Sequence, residues 1–281
     1  MTLSSDVKEA VTNFFFENGC VGCQDEETEV IAYFPSQINS GEIKNRLHAF
    51  LDELATCGFE IPTNAFELSF VQDKDWNAEW KKNFKPIEVS EKFVIKPTWE
   101  PFNKNAEKYI INIDPKQAFG TGTHATTQIM LKLLERHVQS GLTVLDAGTG
   151  TGILAIAAAM LGATVTAFDH DPVAVEAATE NISLNACETT VDVFCGDLRE
   201  LPLSQRFDVI LANINKNVII RYLPEFYQLL RTPGLLILSG ILEEEEKAVG
   251  DAVAKYSEWQ VLNRIQQDEW LGFVIKQESV S

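Results

Sequence analysis

The second half of the chain alternates short apolar runs with amphipathic stretches. Beyond residue 140, five runs of five to seven residues have the apolar character of β-strands. They span residues 142–147, 164–169, 191–195, 207–213 and 234–240. A helical spacing of apolar positions follows the first, second, fourth and fifth runs. Because strands that alternate with helices form parallel sheets with both faces covered, this pattern predicts an α/β fold.

The C-terminal end departs from this alternation. Residues 259–267 and 269–277 are both strand-like, and no helical pattern separates them. Strands joined so closely pair antiparallel, so we expect a hairpin at one edge of the parallel sheet. The prediction is therefore a seven-stranded mixed sheet of the Rossmann-like type.

The first quarter of the chain has a different pattern. Helical spacing covers residues 7–18 and 41–57, and strand-like runs cover 28–34 and 65–71. These elements predict a small α+β domain, residues 1–71.

A segment rich in tryptophan, lysine and proline follows at residues 72–105, with one strand-like run at 91–97. We interpret this segment as a linker between two bodies. The second body, residues 106–281, then holds the α/β sheet, and a chain of this length has enough residues for two cores.

Composition narrows the class of protein. The chain of 281 residues has 41 acidic and 23 basic residues, a net charge of −18. Such a field repels phosphate backbones and attracts basic partners, so direct nucleic-acid binding is not expected. No signal sequence, membrane-spanning stretch or even set of cysteines is found, and we expect a cytoplasmic protein without a membrane partner. Cys20 and Cys23 have no second pair to complete a zinc site, so no metal is predicted.

The stretch "DAGTGTG" closes the first strand of the α/β sheet. Its glycines, Gly148, Gly150 and Gly152, would let a ligand approach the backbone, and the following helix offers free N–H groups. A sharp strand-to-helix turn also uses glycine for structural reasons, so the loop alone leaves both roles open.

A carboxylate adds a second signal. Asp169 ends the second strand about 20 residues beyond Gly148, the spacing at which a carboxylate accepts from both hydroxyls of an adenosine ribose. Asp169 or Asp171 could instead cap the helix that starts near Pro172, and this role suits Asp171 better.

Details of the loop distinguish the possible adenosine ligands. The loop lacks the lysine of a nucleoside triphosphate site, and Ile153 stands where a dinucleotide loop has its third glycine. The acid at Asp146, before the first glycine, suits a ligand with an ammonium and a sulfonium group. We therefore predict S-adenosylmethionine as the cofactor.

Several motifs resemble a known family. In this order, "VLDAGTGTG", "FDHDP", "VILANI" and "LSGIL" resemble class I S-adenosylmethionine-dependent methyltransferases. Upstream, "QAFGTGTHATT" (117–127) is similar to the bacterial family that methylates large-subunit ribosomal protein L11, and the resemblance covers residues 72–242. It implies a protein N-methyltransferase acting on lysine side chains or the N-terminal amine of L11. It also implies a ferredoxin-like N-terminal domain that recognises this basic substrate.

The resemblance also indicates site residues. Candidate cofactor contacts are Thr127, Gly148, Gly150, Asp169 and Asn213, all but Gly150 carried over from the family. Asn213 ends the fourth strand, where its carbonyl could accept a hydrogen from the substrate amine and aim the lone pair. The structural alternative for Asn213 is a turn residue. Asp197, after the third strand, resembles an acidic position near the adenine amine, and a turn role is equally compatible.

The upstream segment "FGTGTHATT" is expected to fold over the carboxyl edge of the sheet and to face the cofactor opposite "GTGTG". Gly120 and Gly122 would allow a close bend there. Thr123 would cap the following helix, whose first turn would carry Thr127 to the methionine end. His124 would help to order the segment. The structural alternative is an ordinary capped helix.

The chain departs from the family pattern at several positions. Ala125 replaces a usual proline, and Thr149 and Thr151 stand where cysteine and serine are common. After Asn213 and the isoleucine that follows it, Asn215 and Lys216 replace leucine and alanine, which bears on the shape of the acceptor pocket. The N-terminal domain also lacks the first strand that the family pattern leads us to expect.

Three other functions remain as alternatives. The same fold serves N-methyltransferases that act on a small molecule or a nucleic acid. A non-catalytic assembly factor could bind the cofactor without transferring a methyl group. A nicotinamide-dependent dehydrogenase would bind a dinucleotide instead.

Overall fold

The computed structural model describes residues 5–20, 22–25, 30–35, 38–56, 58, 59, 61, 66, 85–102, 108–114, 118–202 and 204–278. The chain divides into two compact units, residues 1–74 and 75–281. The predicted domain limits at 71 and 105 stay predictions. Apart from Phe66, the predicted strand at 65–71 lies outside the described residues.

The N-terminal unit contains two helices and a two-stranded sheet. Its elements are α1 (Ser5–Glu17), β1 (Gly22–Asp25), β2 (Val30–Tyr33) and α2 (Ser40–Thr56), with β1 and β2 antiparallel. Val7, Val11 and Phe14 recur at helical spacing on α1 and are buried in one core with Leu47 and Leu51 of α2. Both predicted helices are confirmed. The ferredoxin-like topology stays a prediction, because it requires strands beyond the described ones.

The C-terminal unit is built on a seven-stranded sheet. Its strands are β6 (Thr143–Ala147), β7 (Thr164–Asp169), β8 (Val191–Cys195), β9 (Phe207–Asn213), β10 (Leu230–Leu242), β11 (Trp259–Gln267) and β12 (Trp270–Gln277). They lie in the order β11-β12-β10-β9-β6-β7-β8. The five predicted parallel strands are confirmed, and β12 pairs antiparallel with both β10 and β11. The predicted mixed sheet, with its hairpin at one edge, is therefore confirmed.

In the described part of this unit, five α-helices accompany the sheet: α3 (Ala125–His137), α4 (Ile153–Met160), α5 (Pro172–Leu184), α6 (Lys216–Leu229) and α7 (Glu246–Val253). Val144 of β6 shares a core with α3, α4 and α5, whereas its neighbour Leu145 shares a core with α6 and α7. Successive side chains of a strand point to opposite faces, so both faces of β6 are covered. In the part of the chain that the structure describes, no helix is long and apolar enough to cross a bilayer.

A second, smaller sheet belongs to the C-terminal unit. Its strands are β3 (Ile87–Glu88), β4 (Phe93–Lys96) and β5 (Tyr109–Asn112), with β4 antiparallel to β3 and parallel to β5. Phe93, Ile95 and Ile111 are buried in the same core as α3. The strand predicted at 91–97 is confirmed as β4. The second half of the expected linker therefore packs as part of the α/β body, and β5 was missed from the sequence.

The direction of chain progression reverses at β6. From this central strand the chain moves outward through β7 to β8, and then returns to the other side of β6 with β9 and β10. The connections leave β6 toward opposite sides, which opens a crevice beyond the carboxyl ends of the strands. The fold therefore provides a ligand site where β6, β7 and β9 end.

The contact between β12 and α3 can be tested by adding one methyl group. A Cβ at Gly272 would collide with the buried Cγ2 of Ile129, a branched side chain with little rotamer freedom in a helix. We expect Gly272→Ala to lower the free energy of unfolding by about 1–3 kcal/mol, measured by urea denaturation with far-ultraviolet circular dichroism.

Gly250→Ala is the matched control, because no atom lies within 4 Å of a Cβ at this position of α7. This variant should be as stable as the parent or more stable by about 1 kcal/mol, since alanine favours a helix. Equal stability of the Gly272→Ala and Gly250→Ala variants would contradict the packing described here.

Candidate active site

The register of the sheet brings three predicted site residues to one edge. Ala147, the last residue of β6, pairs with Phe168 of β7 and with Ala212 of β9. The next residues in the three segments are Gly148, Asp169 and Asn213. These residues therefore lie side by side at the carboxyl edge, as the sequence predicted.

The three glycines of the glycine loop, residues 148–152, have left-handed backbone conformations. Gly148 and Gly150 have φ of 75° and 55°, a region that residues with a Cβ rarely adopt. The N–H groups of Gly148 and Thr149 both donate to the carbonyl of Phe168 at 3.0 Å, which ties the loop to β7. Among the described residues, no side chain caps α4 at Gly152. The five N–H groups of the loop itself are bonded within the fold, so the backbone donors for a ligand would be those at the start of α4.

Asp169 supports the glycine loop directly. Its Oδ2 accepts from the N–H of Gly150 at 3.0 Å, and its Oδ1 accepts from the N–H of Asp171 at 3.1 Å. The cap of α5 is Asp171, whose Oδ1 accepts from the N–H of Val173 at 2.9 Å. The sequence reasoning that assigned the cap to Asp171 is confirmed. A carboxylate has about four acceptor positions, so Asp169 retains capacity for hydroxyls.

The upstream loop, residues 118–123, lies against the glycine loop. The N–H of Thr151 donates to the carbonyl of Phe119 at 2.9 Å, and the Thr151 hydroxyl donates to the carbonyl of Gly120 at 2.6 Å. A Cβ at Gly150 would collide with the carbonyl oxygen of Phe119, so this approach requires glycine. Both glycine-threonine segments therefore pack against each other, whereas their shared ligand stays a prediction; Gln117 lies outside the described residues.

The start of α3 corrects one expectation. The cap is His124, whose Nδ1 accepts from the N–H of Thr126 at 3.3 Å. The hydroxyl of Thr123 instead lies 3.1 Å from that of Thr121. The prediction that Thr123 caps the helix was therefore wrong, because the imidazole reaches the helix terminus first. Thr127 does lie in the first turn, where it is fully buried, and its Oγ1 has no hydrogen-bond partner among the described residues.

Three aromatic rings line up beside the upstream loop. The ring of His124 lies 5.2 Å from that of Phe119 and 5.0 Å from that of Trp270, measured between centroids. The Phe119 ring is 55% exposed. Sequence reasoning did not place Trp270 here. Because β12 runs antiparallel to β10, its first residue must lie at the carboxyl edge of the parallel strands. The hairpin predicted from the sequence could therefore have placed Trp270 here.

The residues after Asn213 explain one departure from the family pattern. Asn215 caps α6, since its Oδ1 accepts from the N–H of Val218 at 3.1 Å. Lys216 forms an ion pair with Glu245 at 2.8 Å. These two side chains therefore stabilise α6 and its neighbour. Asn213 itself is half-buried at the strand end.

Asp197 has a structural role in this fold. Its Oδ1 accepts from the N–H of Arg199 at 3.0 Å, and its Oδ2 accepts from the Tyr222 hydroxyl at 2.7 Å. Burial opposes ionisation of this carboxyl, but the Arg199 N–H, the Tyr222 hydroxyl and the charges of Arg199 and Arg221 outweigh burial and lower its pKa. These bonds support a role for Asp197 as a turn residue rather than as a contact to the adenine amine.

Asp146 is a fully buried acid beneath the glycine loop. The Thr149 hydroxyl donates to its Oδ2 at 2.6 Å, whereas Oδ1 has no partner in the described part of the chain. Burial raises the pKa of Asp146 to about 7, and the charge of Asp169 adds to this rise, while the Thr149 hydroxyl and the nearby N–H of Ala155, which makes no hydrogen bond to Oδ1, oppose it. The site therefore holds a carboxyl group that is close to changing its charge at neutral pH.

The residues present fit S-adenosylmethionine. Among the described residues, the buried Thr127 hydroxyl has no partner, no side chain caps the start of α4, and the Asp169 carboxylate keeps acceptor capacity beyond its two backbone donors. An unpartnered buried hydroxyl costs free energy unless a ligand pairs with it. These features come from three separate segments and are compatible with a ligand that carries amine, carboxylate and ribose groups.

Comparison with known proteins gives a consistent result. A family model described as Ribosomal protein L11 methyltransferase (PrmA) matches residues 3–278. The ribosomal protein L11 methyltransferase of Carboxydothermus hydrogenoformans is 42% identical over 255 residues, which cover 90% of this chain and 81% of that protein. The protein of the same name from Anoxybacillus flavithermus is 37% identical over 256 residues, with the same coverage of each chain.

A solved structure agrees with these relatives. The crystal structure of ribosomal protein L11 methylase from Lactobacillus delbrueckii subsp. bulgaricus superposes with a TM-score of 0.65 at 33% identity. The match covers 70% of this chain and 100% of that one.

The raised pKa of Asp146 predicts a dependence of stability on pH. The pKa rises from 3.8 in the unfolded chain to about 7 in the fold, so the folded state binds more protons between these values. The free energy of unfolding should therefore fall as pH rises through this window. Asparagine does not ionise, so the Asp146→Asn variant should not show this loss. The free energy of unfolding of the variant relative to the parent should therefore grow by on the order of 4 kcal/mol from pH 4 to pH 7.

Asp208→Asn is a control because Asp208 should make stability depend on pH in the opposite direction. Burial opposes ionisation of Asp208, but donors from Thr143 and the Arg231 guanidinium outweigh it and lower its pKa. Its contribution to stability should be lost as pH falls, and the variant should be less stable than the parent at neutral pH. If the difference in free energy of unfolding between the Asp146→Asn variant and the parent is the same at every pH, the raised pKa of Asp146 is disproved.

Proposed function

We propose a function on the premise that the chain belongs to the ribosomal protein L11 methyltransferase family, which the match over residues 3–278 and its relatives establish. The protein is an S-adenosylmethionine-dependent methyltransferase. Its substrate is large-subunit ribosomal protein L11, and it methylates amino groups, either lysine side chains or the N-terminal amine.

The observation that carries this proposal is the convergence of three segments on one sheet edge. The upstream loop continues into α3 with the unpartnered hydroxyl of Thr127, and the glycine loop packs on Asp169. We assign Asp169 to the ribose hydroxyls of the cofactor, and Thr127 to its methionine end. Gly148 and Gly150 provide the backbone surface on which the cofactor lies.

Methyl transfer to an amine requires that the amine be positioned and that its protonation be controlled. When bound, S-adenosylmethionine supplies a methyl group on a positively charged sulfur. A lysine amine has a pKa of about 10.4 and is mostly charged at neutral pH, so it has no free lone pair. We assign to the Asn213 carbonyl the role of accepting an amine hydrogen and aiming the lone pair.

The charge of the chain supports a basic protein as substrate. A net charge of −18 attracts a lysine-rich ribosomal protein and disfavours direct binding to nucleic acid. We infer that the reaction takes place in the cytoplasm, where a ribosomal protein is available, and without a membrane partner. We assign recognition of L11 to the N-terminal unit, residues 1–74.

The proposal is tested with the full chain and tritiated S-adenosylmethionine. Purified large subunits and free ribosomal proteins should incorporate label into L11, located on amines by mass spectrometry. Label confined to ribosomal RNA or to a small molecule would support the alternative N-methyltransferase. A protein that binds the cofactor without any transfer would support a non-catalytic assembly factor, and stabilisation by NAD alone would indicate a dehydrogenase.

The role of Asp169 predicts a selective loss of cofactor affinity. Asp169→Ala removes the acceptor for the ribose and releases the N–H of Gly150. We expect the Kd for S-adenosylmethionine, measured by isothermal titration calorimetry, to rise about 100-fold, as for the loss of two hydrogen bonds to a charged group. Asp171→Ala is the control, because it costs about 1 kcal/mol of stability through loss of the α5 cap and leaves the site intact. Unchanged affinity in the Asp169→Ala variant would refute the assignment.

The role of Asn213 predicts a loss of methyl transfer. We expect Asn213→Ala to lower the single-turnover rate with saturating cofactor by about 100-fold or more, because the amine loses its orienting acceptor. Asn215→Ala provides the comparison, since this neighbouring asparagine caps α6. Equal rates for the two variants would show that Asn213 does not position the amine.

A further inference from the structure

A buried asparagine links two loops that are distant in sequence. Asn181 of α5 is 1% exposed. Its Nδ2 donates to the carbonyl of Thr151 in the glycine loop at 2.9 Å, and its Oδ1 accepts from the N–H of Asp114 at 3.0 Å. Asp114 lies just beyond the end of β5. One amide group therefore joins the glycine loop to the segment that follows β5.

Thr151 extends this connection to the upstream loop. The residue is fully buried, and its N–H and hydroxyl donate to the carbonyls of Phe119 and Gly120. Its own carbonyl accepts from Asn181. The backbone and side chain of Thr151 are thus bonded on both sides, to the upstream loop and to α5.

Asn185, the residue that caps the end of α5, makes a similar connection to β5 and also donates from its Nδ2 to the carbonyl of Asn181 at 2.7 Å. Its Oδ1 accepts from the N–H of Asn112 at 2.8 Å, and its Nδ2 donates to the carbonyl of Asn112 at 2.7 Å. These bonds attach β5 to α5 and do not involve the glycine loop. The chain therefore offers a matched asparagine that differs from Asn181 in its second partner.

We infer that Asn181 and Thr151 form a polar clamp, and that Asn181 is a positioning residue for the cofactor site. The clamp holds the upstream loop, the glycine loop and the end of β5 in fixed relation before any ligand binds. Asn181 acts through Thr151 and does not itself touch the reacting atoms.

The clamp raises cofactor affinity through preorganisation. Apparent affinity falls in proportion to the fraction of molecules whose site is assembled, so a looser clamp weakens binding even when every direct contact remains. Loss of the bond from Asn181 leaves the buried carbonyl of Thr151 without its donor. This loss favours conformations in which the glycine loop and the upstream loop bonded to it move away from α5. The part of the inference that concerns S-adenosylmethionine rests on the proposed function, whereas the clamp itself is a property of the ligand-free chain.

Asn181→Asp is the informative variant. An ionised aspartate still accepts from the N–H of Asp114 but cannot donate to the carbonyl of Thr151. A protonated aspartate can do both, so lowering the pH should restore the clamp in this variant. We expect hydrogen exchange of the backbone amides of residues 118–122 and 148–152, without ligand at about pH 8, to be about tenfold faster than in the parent. The difference from the parent at matched pH should shrink toward about pH 5.

Two further variants separate the clamp from general destabilisation. Asn185→Asp should accelerate exchange at residues 109–112 and leave the glycine loop protected. Thr151→Val removes the bond to Gly120 and should accelerate exchange of the upstream loop, whereas Thr151→Ser, which keeps the hydroxyl, should match the parent. If the Asn181→Asp variant does not fold, the contrast between the two Thr151 variants tests the same clamp.

Binding of S-adenosylmethionine provides the second measurement. By calorimetry, the Asn181→Asp variant should bind it about tenfold more weakly at pH 8 and recover as pH falls, while the Asn185→Asp variant should bind like the parent. The inference is overturned if Asn181→Asp changes exchange no more than Asn185→Asp, if exchange rises uniformly over the C-terminal unit, or if Thr151→Val behaves like Thr151→Ser. Absence of methyl transfer to L11 with the expected exchange pattern would remove the proposed substrate and leave the clamp standing.

Discussion

The lateral pairing of β6 with β7 and β9 is the constraint on which the rest of the site depends. Ala147 pairs with Phe168 and with Ala212, so the residues that follow each strand emerge side by side at one edge. Val144 and Leu145 bury opposite faces of the strand in the two cores, and a shift of one residue would exchange these faces. The same apolar burial that stabilises the sheet therefore also fixes the positions of Gly148, Asp169 and Asn213.

The two glycine-threonine loops complement each other through backbone contact. Gly150 is required twice, once for its left-handed φ and once because the carbonyl of Phe119 occupies the place of a Cβ. Thr151 then bonds the upstream loop with both its N–H and its hydroxyl. A repeated motif in the sequence thus corresponds to two surfaces that pack together, one of which continues into α3 and carries Thr127 into the core.

Hydrogen-bond satisfaction differs among the polar residues near the carboxyl edge of the sheet. Asp197, Asn215 and Lys216 each have their polar atoms engaged with neighbours in the fold, and each stabilises a turn or a helix end. Thr127 and Asp146 are buried with an oxygen that has no partner among the described residues. Such atoms destabilise a fold, and they persist at functional sites where a ligand completes their bonding. The contrast supports placing the cofactor between the upstream loop and the sheet edge.

The sequence by itself determined the alternation of strands and helices in the α/β body, the mixed sheet, the glycine loop and the candidate Asp169, because apolar periodicity and strand-end positions are local signals; Thr127 and Asn213 became candidates through the resemblance to the family. Only the tertiary structure decided that His124 rather than Thr123 caps α3 and that Asp197 serves a turn. It also decided that Asn181 bonds the glycine loop. The physical reason is that each of these outcomes depends on a partner far away in the chain or on competition between neighbouring side chains, and neither leaves a periodic pattern in the sequence.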